Sequence, residues 1–119
     1  MASVRGRKLT SEAQTASAVG AAVELMEDEH DLVFELIASA VHASTTFDCD
    51  VEHSGDNTNW YTLASFSQLV GVNGTELVYP LRNTDQTAAT LKYIRTNTTL
   101  AGATQEATVN VTCYYDKRD

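Results

Sequence analysis

Two cysteines and a tryptophan occur in an order that some disulfide-bonded β-sandwiches use. Cys49, Trp60 and Cys113 follow the Cys…Trp…Cys order of immunoglobulin domains. The position two before Cys113 is Val111, where the immunoglobulin pattern has a tyrosine, and the six residues after Cys113 are too few for a further strand. Residues 1–17 also lack the apolar centre of a secretion signal, so we predict reduced, buried thiols that pack as small apolar groups.

Carboxylates and histidines are the other side chains of this sequence that could bind a metal ion or act in catalysis. Asp48, Asp50 and Glu52 alternate with apolar residues and form a carboxylate ladder, for which a solvated strand face is a commoner role than a cation site. The three histidines are His30, His42 and His53, and none has zinc-site spacing. No nucleophile elbow or phosphate loop is present. We therefore predict no catalytic residue, no cofactor and no metal, and a protein that is not an enzyme.

The neighbouring aromatic residues Trp60 and Tyr61 have two interpretations. Adjacent rings can form a platform for a sugar, whereas a lone tryptophan beside a strand more often packs in the core. We predict that Trp60 is buried, so that Trp60→Ala would unfold the protein. The other predicted core residues are Phe47, Val51, Val109 and Val111.

The segments that must position these residues have the patterns of β-strands. Residues 47–53 alternate between apolar and acidic side chains, residues 54–59 consist of turn formers, and a second strand rich in aromatic residues follows. Pro80 predicts an edge strand or a strand end. Further strands are predicted at 32–41, 76–81, 91–96 and 106–115. The spacing predicts an all-β protein, a single antiparallel β-sandwich that is jelly-roll-like with about seven to eight strands.

Charge is distributed unevenly along the 119 residues, which have a net charge of −8. An acidic protein avoids polyphosphate, so we predict neither nucleic acid nor membrane as a partner. Arg5, Arg7 and Lys8 lie near the N-terminus with Glu12 as the only nearby acid. We predict an extended basic arm over residues 1–17 and a β-sandwich domain over residues 18–119. The arm is either a frayed terminus or a segment that orders on an acidic neighbouring subunit, with Arg5, Arg7 and Lys8 as the contacts.

A longer succession of motifs resembles a known group of proteins over residues 47–115. The motifs are His53-Ser54-Gly55-Asp56, Trp60-Tyr61-Thr62-Leu63 with Phe66, Tyr93-Ile94-Arg95, and Ala107-Thr108-Val109-Asn110-Val111. This succession resembles the small β-sandwich structural proteins of tailed bacteriophage virions, including head decoration (cement) proteins. It is also similar to discoidin-type sugar-binding sandwiches, from which this chain departs by being shorter and by lacking their bracketing disulfide.

The phage resemblance implies a non-enzymatic virion protein that binds the outer surface of the head and stabilises it. It implies the major capsid protein or other virion subunits as partners, a homo-oligomer (trimer or dimer), and a location in the virion after assembly in the cytoplasm of a bacterial host. Two alternatives stay open. One is a structural component of the tail or of the head–tail connector, and the other is a carbohydrate-binding β-sandwich module for host attachment that uses Trp60 and Tyr61.

Overall fold

The computed structural model describes residues 3–25, 29–80 and 90–117. The strands are β1 (Ser3–Gln14), β2 (Ala18–Val19), β3 (Val23–Glu24), β4 (Glu29–Ser39), β5 (Thr46–Ser54), β6 (Tyr61–Ser65), β7 (Leu69–Val70), β8 (Gly74–Val78), β9 (Tyr93–Ala101) and β10 (Ala107–Lys117). No helix in these ranges has the length and apolar character needed to cross a membrane.

The strands form two antiparallel sheets with a common core between them. Sheet A has the order β1-β10-β4-β8, and sheet B has the order β2-β9-β5-β6, with β3 also paired to β9 and β7 to β5. If β2 with β3 and β6 with β7 are each counted as one interrupted strand, the described ranges contain eight strands, in the arrangement of a jelly roll. This architecture confirms the predicted antiparallel β-sandwich and its number of strands.

The core lies between the inward faces of β4, β5, β9 and β10, where apolar residues alternate with polar ones. The inward residues of β10 are all buried: Ala107, Val109, Val111, Cys113 and Tyr115. Phe47, Cys49 and Val51 of β5 are buried in the same way, because side chains two residues apart leave the same face of a strand. Burial of the two cysteines and of the other predicted core residues is thus confirmed, with Trp60 as the exception.

Residues 3–14 differ from the predicted arm, because they form strand β1 within sheet A. β1 pairs with β10 of the same chain from Ser3 opposite Lys117 to Gln14 opposite Ala107, and the register shifts between Lys8 and Thr10. The strand is held by this ladder of backbone hydrogen bonds along almost its whole length. Whether the same segment also contacts a neighbouring subunit stays a prediction.

Hydrogen bonds between buried side chains also attach β1 to the opposite sheet. The hydroxyl groups of Thr10 and Thr96 are hydrogen-bonded to each other, and the Thr98 hydroxyl donates to Gln14 Oε1 at 2.6 Å. All four side chains are buried. β1 contributes one large apolar side chain, Leu9, to the core. The strand therefore lacks the apolar alternation by which sequence patterns predict a half-buried strand.

Two glycines allow the β4–β5 turn to pack tightly against its neighbours. Gly71 (φ 63°) and Gly102 (φ 115°) have left-handed backbone conformations. A Cβ atom on Gly102 would overlap the carbonyl oxygen of Ser44, and one on Gly71 would overlap that of Ala43. Glycine is required at both positions on grounds of both conformation and space.

Candidate interaction surfaces

The β5–β6 loop ends at Trp60 and has a fixed conformation because Asp56 organises it. Its carboxylate accepts hydrogen bonds from the backbone N–H of Asn59 (2.8 Å) and Thr58 (2.9 Å), from Asn59 Nδ2 (2.8 Å) and from the Ser54 hydroxyl (2.9 Å). These donors, the two backbone N–H groups first, hold the pKa of Asp56 well below its ordinary value of 3.8. The ionised carboxylate therefore fixes the path of the chain into Trp60.

Trp60 lies on the outer surface of sheet B, so the prediction that it packs in the core is wrong. Its side chain is half-buried, and the Arg95 guanidinium carbon lies 4.0 Å from the ring centroid. Arg95 Nε donates to Glu52 Oε1 at 2.8 Å, and Asn97 Nδ2 donates to Glu52 Oε2 at 3.4 Å. A cation–π contact backed by an ion pair thus replaces apolar burial as the interaction that positions the ring.

The second aromatic residue of the pair is more exposed than the first. Tyr61, the first residue of β6, is 61% exposed, whereas Arg95 covers part of Trp60. The two rings therefore lie at the surface, as a sugar platform requires, but Tyr61 offers the larger open area.

Asp48 and Glu52, two of the three residues of the acidic ladder of β5, are bound by neighbouring side chains. Gln68 Nε2 donates to both carboxylate oxygens of Asp48, at 3.2 and 3.0 Å, and Glu52 is paired with Arg95. In the part of the chain that the structure describes, no three His, Cys, Asp or Glu side chains form a group that could hold a metal ion.

Two of the three histidines accept backbone hydrogen bonds. His53 Nδ1 accepts from the Leu91 N–H at 3.1 Å, and partial burial lowers the pKa of His53 below its ordinary value of 6.5. His42 Nδ1 accepts from the Ser44 N–H at 3.1 Å in the β4–β5 turn. Both rings hold loops in place. The side chain of His30 is outside the described set.

The three basic residues predicted to bind a partner lie on β1 but do not form one cluster. Arg5 and Lys8 are exposed on opposite faces of the strand. Arg7 is half-buried, its Nη1 donates to the Glu24 carbonyl oxygen at 3.2 Å, and its guanidinium carbon lies 5.3 Å from the centroid of the Tyr115 ring. Their binding to a partner stays a prediction, for which Arg5 and Lys8 are the accessible members.

The cysteines are placed in the two sheets, Cys49 on β5 and Cys113 on β10, and both side chains are thiols. Each is 1% exposed. Burial, with a smaller effect from the Asp50 carboxylate, raises the pKa of Cys49 to about 12. Cys49 is therefore a core residue and not a nucleophile.

An exposed apolar surface along β8 was not predicted from the sequence. We call it the β8 surface. It consists of Ile37 of β4, Leu77 of β8 and Tyr79 just after β8, which are three of the eight large apolar side chains that are exposed in the described ranges. The signal in the sequence was the alternation of Thr75, Leu77 and Tyr79, which predicts a strand but does not say whether another element covers that face.

Sequence comparisons find no matching family model and no matching curated protein. The fold, in contrast, is similar to solved structures of infectious bursal disease virus. The VP2 subviral particle structure aligns with 98% of this chain and 33% of that chain, at 10% identity and a TM-score of 0.65. The structure of T=1 particles derived from this virus aligns with 98% and 32%, at 10% identity and a TM-score of 0.64. The T13 viral particle structure aligns with 98% and 31%, at 12% identity and a TM-score of 0.57.

This chain therefore spans about one third of the length of the viral chains that it matches. At such low identity the likeness shows a common fold, the jelly-roll sandwich, and nothing finer.

Proposed function

We propose that this chain is a non-enzymatic structural protein of a virus particle. The observation that carries the proposal is the fold, which matches 98% of the chain to structures of a viral particle and its subviral forms at TM-scores up to 0.65. Jelly-roll sandwiches are typical of viral capsid domains, whose function depends on their surfaces and edges. In the described part of this chain, β1 and β8 are the edge strands of sheet A.

Within this class, we propose a phage decoration (cement) protein that binds the outer surface of the head. The motif resemblance over residues 47–115 supports this assignment, and so does the charge pattern. Residues 1–17 have a net charge of +2, so the remainder of the chain carries −8 − (+2) = −10. A basic edge strand with exposed Arg5 and Lys8 is complementary to carboxylates of a neighbouring subunit, for which the major capsid protein is the proposed partner.

Quantitative mass spectrometry of purified virions tests the assignment. A copy number comparable with that of the major capsid protein supports head decoration. A few copies per particle would instead place the protein in the tail or the head–tail connector. Absence from purified particles would disprove a virion role.

A reattachment assay tests the basic edge. Particles stripped of the protein are mixed with wild-type protein or with Arg5→Gln/Lys8→Gln, at low and at physiological salt. We expect weaker binding of the double variant and a weaker dependence of its binding on salt, since two exposed cations are lost. Lys92→Gln is the control, because it removes a cation from the end of sheet B. Equal losses for both variants would argue against a specific role for β1.

A carbohydrate-binding module for host attachment is the second candidate, favoured by the surface position of Trp60 and Tyr61. A glycan array with the isolated protein tests it. Binding that is lost in Tyr61→Ser and kept in Tyr79→Ser would support this candidate, because both tyrosines are exposed but Tyr61 lies on β6 of sheet B and Tyr79 follows β8 of sheet A. No binding by the wild-type protein would eliminate it.

A further inference from the structure

β8 is an edge strand that combines unpaired backbone groups with exposed apolar side chains. Within the described part of the chain its strand partner is β4 alone, so its other side presents backbone donors and acceptors to solvent. Leu77 is 56% exposed and Tyr79 is 70% exposed, and Ile37 of β4 extends the same outer face. Soluble proteins normally protect such edges, because they promote pairing with other chains.

The opposite edge of sheet A carries basic side chains and a register shift, which β8 does not. β1 carries exposed Arg5 and Lys8, and its register shifts between Lys8 and Thr10. Charged side chains and bulges of this kind prevent strand addition. β8 contains neither lysine nor arginine, its one charged side chain is Glu76, and its register with β4 is continuous from Gly74 to Val78. The two edges therefore differ, and β8 is the one suited to accept a strand.

We propose that the β8 surface binds a second copy of this chain, by antiparallel pairing of β8 with β8 of that copy about a two-fold axis at Leu77. In this register Leu77 lies opposite Leu77 of the second copy, and Thr75 lies opposite Tyr79 of the second copy. Both pairs lie on the outer face that carries the exposed apolar side chains, so pairing brings these side chains into contact across the two strands. This inference goes beyond the virion role and does not depend on it.

Charge excludes the register shifted by one residue toward the N-terminus. An axis at Glu76 would place two carboxylates directly opposite each other, which destabilises a strand pair. With the axis at Leu77, Glu76 lies opposite Val78 of the second copy. The Glu76 carboxylate already accepts a hydrogen bond from the Ser67 N–H at 2.7 Å, and Glu35, beside Leu77, accepts one from the Tyr114 hydroxyl at 3.0 Å. Neither acid needs a partner from the second copy.

Two-fold symmetry also explains why the assembly would stop at two copies along this sheet. Pairing of β8 with β8 uses the open edge of sheet A in each of the two copies. The basic, bulged β1 edges then lie at the two ends of the combined sheet. Pairing of β1 with β8 of another copy would instead leave one open edge at every step and would form chains or rings.

Cysteine cross-linking of the full chain tests the proposed axis. Leu77→Cys places two thiols opposite each other at the axis, within the distance that a disulfide requires. Val19→Cys is the matched control, since Val19 is 55% exposed and lies at the edge of sheet B. Cys49 and Cys113 are buried and serve as an internal background. Under mild oxidation we expect a disulfide-linked dimer from Leu77→Cys and none from Val19→Cys.

The second test is the concentration dependence of the mass, measured by sedimentation equilibrium. Leu77→Ser or Tyr79→Ser should raise the dimer dissociation constant by roughly tenfold or more, because each change removes two apolar side chains from the dimer interface. Val19→Ser and Tyr61→Ser, at comparable exposure on sheet B, should leave it unchanged. A monomeric wild-type protein at every concentration, or equal cross-linking of both cysteine variants, would overturn the proposal. Cross-linking of Leu77→Cys to a different virion protein would do the same, by assigning the edge to another strand.

Discussion

Arg95 links two groups on the outer face of sheet B: the Trp60 ring at the end of the β5–β6 loop and the Glu52 carboxylate. We expect Arg95→Ala to shift the Trp60 fluorescence emission to longer wavelength, because the guanidinium no longer covers the ring. The free energy of unfolding should fall by about 1–2 kcal/mol, which is typical of a partly buried cation–π contact. The chain has a single tryptophan, so the emission reports on this site alone.

Lys92→Ala is the control for this experiment. Lys92 Nζ lies 5.4 Å from the centroid of the Tyr93 ring, but its side chain is 54% exposed, compared with 23% for Arg95. Its removal should change neither the emission nor the stability by a comparable amount.

Trp60→Ala should remain folded, because the ring lies on the outer surface of sheet B and not in the core. A Trp60→Ala protein that cannot fold would contradict the placement of the ring on the outer surface of sheet B.

His53 makes the stability of the β5 end dependent on pH. The folded state favours the neutral ring, because burial lowers the pKa of His53 and Nδ1 accepts the Leu91 N–H. The unfolded chain therefore binds more protons, so stability is complete above the ordinary pKa of 6.5 and is lost as the pH falls toward the folded pKa. Urea unfolding at a series of pH values measures this slope.

Substitution by asparagine separates this contribution from those of the other titrating groups. His53→Asn keeps an acceptor close to the Nδ1 position but does not titrate, so its stability should depend less on pH between about 7.5 and 5. His42→Asn, at an exposed position, is the control substitution. Identical slopes for wild type and His53→Asn would show that His53 does not contribute.

At the scale of the elements, Gly102 determines how closely the chain after β9 approaches the β4–β5 turn. We expect Gly102→Ala to lower the free energy of unfolding by at least about 1–3 kcal/mol, since a side chain would be strained at this φ and would overlap the Ser44 carbonyl. Gly55→Ala is the matched control, because no atom lies within 4 Å of its added Cβ. Its effect should stay within about 0.5 kcal/mol. Equal effects of the two changes would argue against the close packing of this turn.

β1 depends on buried hydroxyl groups, which a double-mutant cycle can reveal. Thr10→Val leaves the Thr96 hydroxyl buried without its partner, so we expect a loss of about 1–3 kcal/mol in the free energy of unfolding. Thr10→Val combined with Thr96→Val should recover much of that loss, because no polar group is then left unsatisfied. Ser11→Ala, at an exposed position on the same strand, is the control. A double variant as unstable as the sum of the two single variants would contradict the direct hydrogen bond.

Deletion of residues 1–12 tests the whole strand. If these residues formed an arm, as the sequence predicts, the sandwich would remain folded after the deletion. With β1 paired along β10, we instead expect an unstable or insoluble protein, because Leu9 is removed from the core and the edge of β10 is exposed. Circular dichroism and solubility distinguish the two outcomes.

At the scale of the whole molecule, the sequence predicted those strands whose inward residues are apolar. β5 and β10 alternate Phe, Cys and Val with polar residues, and both were predicted close to their observed bounds. β1 and the second half of β9 were missed for one shared reason. Their inward positions hold Thr10, Gln14, Thr96 and Thr98, which bond to one another across the sandwich. Polarity patterns cannot indicate that such residues are buried, because each is satisfied by a residue distant in sequence.

The candidate surfaces show the same division between local and distant causes. The Asp56 loop could be predicted, since its donors lie within three residues. The position of Trp60 could not, because it depends on Arg95 from a strand far along the chain. The β8 surface was hidden for a different reason: alternation predicts two faces of a strand, whereas the exposure of the outer face depends on the order of strands in sheet A.

The pairing of Ser3 with Lys117 places the two ends of the described chain side by side, on neighbouring strands of sheet A. Antiparallel partners have Cα atoms about 4.5–5.5 Å apart, so a short linker can join the ends without moving either strand. A circular permutant with new termini between Asn57 and Thr58, in the exposed β5–β6 loop, should therefore fold and keep both sheets. The same closeness means that a fused peptide will emerge beside β1 and β10 whichever end carries it, at the opposite edge of sheet A from β8.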